Sequence, residues 1–266
     1  KDILYKVSVS AVFGDTNIDV KNIIFDSRKV EKETLFVAQK GVSVDGHLFI
    51  QKAINLGARA IICEDLPTDK KEGITYIQVE NSNAALAILA ANFYENPSSK
   101  LQLIGVTGTN GKTTIASLLY QLFLKAGYKV GLLSTVKILV DKTEFKATHT
   151  TPDSVTINEY LDKMIDAGVD FCFMEVSSHG IHQHRTEGLH FEGGIFTNLT
   201  HDHLDYHNTM EEYAAAKQKF FNQLNKETMD AVDDFYDQDV VFKDPLVSFI
   251  NRQSLKDYYC GLYNNV

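Results

Sequence analysis

Short apolar runs alternate with stretches of helical spacing along the first hundred residues. Residues 22–26 and 34–38 read as strands. Residues 48–56 have helical spacing and stop at Gly57. Residues 60–63 and 76–79 read as strands again, and 82–94 reads as a helix. Strands separated by helices predict an α/β layer. The segment Glu95-Asn96-Pro97-Ser98-Ser99 is rich in turn formers and is expected to link two units, which places a first domain at residues 1–98.

The next block repeats the rhythm more sharply. Residues 101–106 form an apolar strand pattern, and a glycine-rich turn leads into a helix over 112–126 that Gly127 stops. A strand is expected at 130–134 and a helix at 154–167 closed by Gly168. Residues 171–176 and 194–198 are buried-strand candidates, and 210–224 is an amphipathic helix. This βαβ order predicts a mostly parallel sheet over residues 99–226. From about residue 228 the character changes. TMDAVDDFYDQDVVFKDP is acidic and aromatic, and 251–266 reads as a short helix, so residues 227–266 form a tail apart from the rest.

Composition narrows the class only a little. Hydrophobic content of 44% and charged content of 23% fit a globular protein. No apolar run approaches the roughly 18 residues of a membrane span. The first residues lack the layout of a secretory signal. Cys63, Cys172 and Cys260 are far apart and odd in number, which suggests neither a disulfide framework nor a paired metal site. The cytoplasm is the expected compartment, with no membrane insertion. A net charge of −9 argues against a protein that grips nucleic acid. It leaves nucleotides open, because local N–H groups hold their phosphates.

The first chemical signal is the turn between strand 101–106 and helix 112–126. It runs Gly108, Thr109, Asn110, Gly111, Lys112, Thr113, Thr114. Glycines let such a loop wrap until successive N–H groups converge on an anion, and the helix N-terminus adds its positive end. Lys112 supplies a point charge for the β/γ-phosphates, and Thr113 offers a hydroxyl to Mg²⁺. The loop departs from the general GxxxxGK(S/T) pattern, because Val106 stands where the first glycine belongs. The plain alternative is a glycine turn with an incidental lysine. TGTNGKTT resembles the Mur ligase superfamily, which includes folylpolyglutamate synthetase and cyanophycin synthetase. The resemblance implies that ATP activates a carboxylate as an acyl phosphate, which an amine then attacks to form an amide.

The run from Met174 to Arg185, MEVSSHGIHQHR, follows a buried-strand pattern. Ligands gather at strand ends of a parallel sheet, where the Glu175 carboxylate would suit Mg²⁺. Ser177, Gln183 and Arg185 are donors for an anionic or amide-rich substrate. This string resembles the signature of MurE-type Mur ligases. The resemblance implies that Glu175 is a Mg²⁺ ligand and that Ser177, Gln183 and Arg185 hold UDP-MurNAc-dipeptide. Seven of the nine histidines lie between His179 and His207, so a zinc site is the rival reading, although no zinc spacing such as HExxH occurs.

The segment TNLTHDHLDYH also resembles the Mur ligases, and implies that His203 ligates a second Mg²⁺. The same resemblance implies a carbamylated, metal-holding Lys217; read without it, Lys217 is a solvated helix lysine. His149-Thr150-Thr151-Pro152-Asp153 opens a helix. It reads either as a plain cap or as an anion site, and MurE-type enzymes use the threonines, here Thr150 and Thr151, on the UDP-sugar peptide. Asp26-Ser27-Arg28 and the later Asp45-Gly46-His47 resemble a uridine-binding domain. There Ser27 and Arg28 would approach the uracil and diphosphate, while the Asp45 group reads equally as a turn.

The expected fold is therefore α/β. A uridine-binding domain precedes a central ATP-binding domain with an incomplete, mostly parallel sheet. The expected function is ATP- and Mg²⁺-dependent addition of the third amino acid to UDP-MurNAc-L-Ala-D-Glu, by a monomer. The resemblance stops near residue 226, and residues 235–245 bear a slight likeness to polyketide-cyclase-like proteins. The expectation is thus a truncated chain with a foreign tail and impaired ligation. The alternatives are a nucleotide- and UDP-sugar-binding fragment, or a MurF-like or folate-adding ligase.

Overall fold

The computed structural model describes residues 2–41, 44–200, 209–223, 242–243 and 248–249. The expected tail helix at 251–266, and the tail apart from two short strands, lie outside the described residues.

The first sheet is built from β1 (Val9–Phe13), β2 (Asn22–Ile24), β3 (Thr34–Val37), β4 (Ala58–Cys63) and β5 (Thr75–Val79). Between β3 and β4 runs α1 (Ile50–Leu56), and α2 (Ser82–Phe93) follows β5. The sheet order is β1-β5-β4-β3-β2, with β2 to β5 parallel and β1 antiparallel at one edge. Alternation along β3 shows why a continuous apolar run is needed here. Leu35 and Val37 face the cluster completed by Ala85, Leu86 and Leu89 of α2. Phe36 and Ala38 face the cluster completed by Ile50, Ala53 and Ile54 of α1.

The second sheet contains β6 (Gln102–Thr107), β7 (Val130–Leu133), β8 (Lys137–Val140), β9 (Thr143–Lys146), β10 (Phe171–Glu175) and β11 (Gly193–Phe196). Its helices are α3 (Lys112–Lys125), α4 (Ser154–Asp166), α5 (Ser178–His182) and α6 (Met210–Gln223). Farther on, β12 (Phe242–Lys243) pairs with β13 (Ser248–Phe249). The order is β11-β6-β10-β7-β8-β9. The first four strands are parallel, and β8 and β9 add an antiparallel hairpin. One face packs Leu103, Leu133, Cys172 and Met174 against Ile157, Leu161 and Met164 of α4. The other packs Val106, Leu132 and Phe173 against Ala116 and Tyr120 of α3.

Strand register decides where chemistry can occur. Glu175 pairs with Val106, and Met174 pairs with Leu133. The C-terminal ends of β6, β7 and β10 therefore finish in one row, the edge of a parallel sheet where ligands bind.

The stretch joining the sheets is tightly bonded. Glu95 and Asn96 both adopt left-handed backbone, with φ of 57° and 54°. Asn96 N–H donates to Ala91 O at 2.7 Å, and Pro97 and Ser98 are buried. Ser98 Oγ accepts from His190 N–H at 3.0 Å, and Val155 at the start of α4 packs against the α2 side of the first sheet.

Candidate functional site

The glycine-rich turn leaves β6 at Thr107 and enters α3 at Lys112. Gly111 caps the helix with φ of 86°, a conformation an L side chain rarely takes. Gly108, at φ of 142°, lies so close to the segment after β11 that a Cβ would strike Thr197 Oγ1. That segment braces the loop. Thr109 N–H donates to Asn198 O at 2.8 Å, and Asn110 N–H donates to Asn198 Oδ1 at 3.0 Å. Thr109 Oγ1 also accepts from Thr200 N–H at 2.9 Å and bonds Tyr213 Oη of α6 at 3.0 Å.

Two lysines converge on this loop. Lys112 Nζ donates to Gly108 O at 2.9 Å and to Thr109 O at 2.8 Å. Lys217 Nζ, from α6, donates to the same Gly108 O at 2.9 Å and lies 4.6 Å from the Tyr213 ring centroid. Lys217 is 3% exposed, so the solvated-lysine reading is wrong. Spacing on an amphipathic helix could not reveal this, because burial depends on the loop that packs against the helix. Two ammonium groups on one carbonyl repel each other, and an anion between them would relieve the repulsion.

Glu175 ends β10 directly beneath the turn and is completely buried. Its Oε2 accepts from Thr113 Oγ1 at 2.9 Å and from Thr135 Oγ1 at 3.1 Å, and its Oε1 accepts from Thr135 N–H at 2.8 Å. All three donors are neutral. Among the described residues no side-chain cation forms an ion pair with it. A buried carboxylate is stable when a cation or metal compensates it. The donor set is made of hard oxygens, from Glu175 and Thr113, so it fits Mg²⁺. Among the described residues no group of three His, Cys, Asp or Glu side chains could hold a metal by itself.

Around this centre stand the other expected residues. Thr151 Oγ1 donates to Glu175 O at 2.9 Å and accepts from Ser177 N–H at 2.9 Å. Ser177 caps α5, its Oγ accepting from Gly180 N–H at 3.1 Å. Arg185 Nη1 donates to Thr151 O at 2.6 Å, and its Nη2 donates to Gln183 Oε1 at 2.7 Å. Thr150 Oγ1 lies 3.1 Å from Thr135 Oγ1. Asp153 is the plain cap of α4, its carboxylate accepting from Thr156 N–H at 2.9 Å. Thr114 is exposed on the first turn of α3. His203 lies outside the described residues. Thr135 was missed in the sequence, where a threonine just past an apolar strand gives only its position in the row of strand ends.

Ser27 and Arg28 sit elsewhere, in the loop after β2. Ser27 is buried, and exposed Arg28 grips Asp26 with two nitrogens, at 2.8 and 2.7 Å. Asp45 serves as a turn. It accepts from His47 N–H at 2.9 Å, while His47 Nε2 accepts from Glu64 N–H at 2.9 Å. A cavity of about 460 Å³ opens at the opposite end of the second sheet, lined by Gln102, Asp170 and His190 among others. It faces the N-terminal strand ends, away from the glycine turn.

Comparison with known proteins gives two family matches: the Mur ligase middle domain at residues 106–240, and the Mur ligase family catalytic domain at residues 19–94. The first runs past residue 226, where the resemblance had been expected to stop. A UDP-N-acetylmuramoyl-L-alanyl-D-glutamate–2,6-diaminopimelate ligase from Cytophaga hutchinsonii is 56% identical over 225 residues, covering 84% of this chain and 46% of the relative. The chain thus spans about half the length of the curated relatives it matches. A solved structure of a ligase of that name superposes with a TM-score of 0.65 at 28% identity, over 77% of this chain and 42% of the other. A MurF ligase from Thermotoga maritima in complex with ADP gives a TM-score of 0.52 at 25% identity, over 78% and 44%.

Proposed function

The chain belongs to the Mur ligase family, and from that premise we propose that it is an ATP-dependent acid–amino-acid ligase joining 2,6-diaminopimelate to UDP-MurNAc-L-Ala-D-Glu in peptidoglycan synthesis. The names of its relatives support the choice of substrates. The observation that carries the reading is the 2.9 Å bond from Thr113 to buried Glu175, which joins the glycine turn to a carboxylate that no side-chain cation among the described residues pairs with.

In this reading the N–H groups of residues 108–114 receive the ATP phosphates. Lys112 exchanges its loop carbonyls for the β/γ-phosphates and stabilises charge during in-line transfer to the acceptor carboxylate. Glu175 and Thr113 would hold Mg²⁺, which when bound would neutralise phosphate charge. His203 and a carbamylated Lys217 would hold a second ion. Carbamylation would also turn one of two repelling cations into an anion. Thr150, Thr151, Ser177, Gln183 and Arg185 hold the dipeptide side of the acceptor. Ser27 and Arg28, in a uridine-binding domain ending near residue 98, meet the uridine diphosphate. The protein works as a cytoplasmic monomer.

The test is ADP release with UDP-MurNAc-L-Ala-D-Glu, with and without 2,6-diaminopimelate. Release that depends on the amino acid is expected. Release stimulated by a folate would overturn the cell-wall assignment. Binding of the UDP-dipeptide without turnover would fit a nucleotide- and UDP-sugar-binding protein instead.

A further inference from the structure

Both oxygens of the Glu175 carboxylate are held by one residue, Thr135. Its backbone N–H takes Oε1 and its hydroxyl takes Oε2. The Thr113 hydroxyl alone would leave the carboxylate free to turn about its terminal torsion, a broad and soft one. A grip at both oxygens fixes the plane. Thr135 is itself an exposed residue, in the short turn between β7 and β8. That turn is pinned independently of the site. Buried Ser134 donates through its hydroxyl to Lys137 O at 2.8 Å, and Ser134 N–H donates to the same oxygen at 3.2 Å. The grip is therefore set before any ligand arrives.

The hydroxyl of Thr135 has a single proton and two close partners, Glu175 Oε2 and Thr150 Oγ1, both at 3.1 Å. The carboxylate is the stronger acceptor and takes the proton. Thr150 then donates to Thr135, which forms a relay from Glu175 to the threonine pair before α4.

We propose that Thr135 is the positioning residue that aims the Glu175 carboxylate at its cation and ties it to Thr150. The proposal rests on the reading of Glu175 as a magnesium-holding carboxylate. Groups behind a metal ligand change affinity by about 10–100-fold when removed.

The experiment titrates Mg²⁺ against ADP binding by calorimetry for the parent protein, Thr135→Val and Thr135→Ser, with ligand-free melting temperatures alongside. The valine variant keeps the backbone N–H and loses the hydroxyl. Its Mg²⁺ half-saturation is expected to rise about 10–100-fold, while the serine variant stays near the parent and neither ligand-free melting temperature moves. An unchanged half-saturation in Thr135→Val overturns the proposal and leaves the nucleotide site standing. Equal loss in Thr135→Ser also overturns it, since serine keeps the hydroxyl. A parent that binds ADP without any response to Mg²⁺ overturns both the proposal and the reading beneath it. If the valine variant melts lower, Thr135→Ala replaces it under the same criteria.

Discussion

Asp26 and Glu175 each stand at or just past a strand end, and each is gripped at both carboxylate oxygens, yet the two are completed differently. Asp26 receives the Arg28 guanidinium and the Arg28 backbone N–H. These hydrogen bonds hold its carboxyl down at about 2. That site is closed, because charge meets charge. Glu175 is buried deeper, and among the described residues its carboxylate receives only neutral donors. Its hydrogen bonds are made, but no side-chain cation among the described residues meets it. A finished ion pair asks nothing of solution; a buried carboxylate among hydroxyls asks for a cation.

Glu175→Gln tests that contrast hardest. It should weaken the Mg²⁺-dependent part of ADP binding by about 100–1000-fold. It should also raise the melting temperature without metal, by about 2–4 °C for each kcal/mol of relieved charge. A fall in that melting temperature would show the charge to be compensated already. Lys217→Ala should lower amino-acid-dependent ADP release by about a hundredfold, and added short carboxylates should restore part of it. Failure of that rescue would remove the carbamate from the scheme.

At the closed site effects should be small. Arg28→Ala should weaken UDP-dipeptide binding by less than about tenfold, because Arg28 must first leave an existing exposed pair. Asp26→Asn, which frees Arg28, should tighten it, and calorimetry separates the two signs. The smallest effect is on pH. The Asp26 carboxyl lies below its ordinary 3.8 when folded. Its contribution to stability is therefore complete above that value and fades as pH falls through about 2. The melting difference between the parent and Asp26→Asn should vanish over that interval.

The sequence announced those elements whose burial is symmetric. Strands at 60–63, 101–106 and 171–176 are mostly apolar, broken only by Gln102 and Glu175 near their ends, because helices cover both faces of the sheets. It hid β1, where both ends of the burial pattern are exposed. The β8–β9 hairpin was equally hidden, since it turns at Asp141 with φ of 50° instead of at a glycine. The site divides the same way. Lys112, Thr113 and Glu175 could be read because strand, turn and helix order fixes them at one edge. Thr135 could not, because its contribution is half backbone and comes from a turn of unremarkable composition. Nor could the burial of Lys217, which depends on α6 carrying its Nζ to the Gly108 carbonyl of the loop.

The stretch from Glu95 to Ser99 reads as a loose joint, with its proline, its asparagine and its two serines. In the folded protein Asn96 N–H is bonded back into α2, Pro97 and Ser98 are buried, and His190 holds the Ser98 hydroxyl. A protease needs several consecutive residues drawn out straight in its cleft, and this joint offers left-handed backbone instead. A brief digest should therefore leave this joint uncut, and it would part only after unfolding.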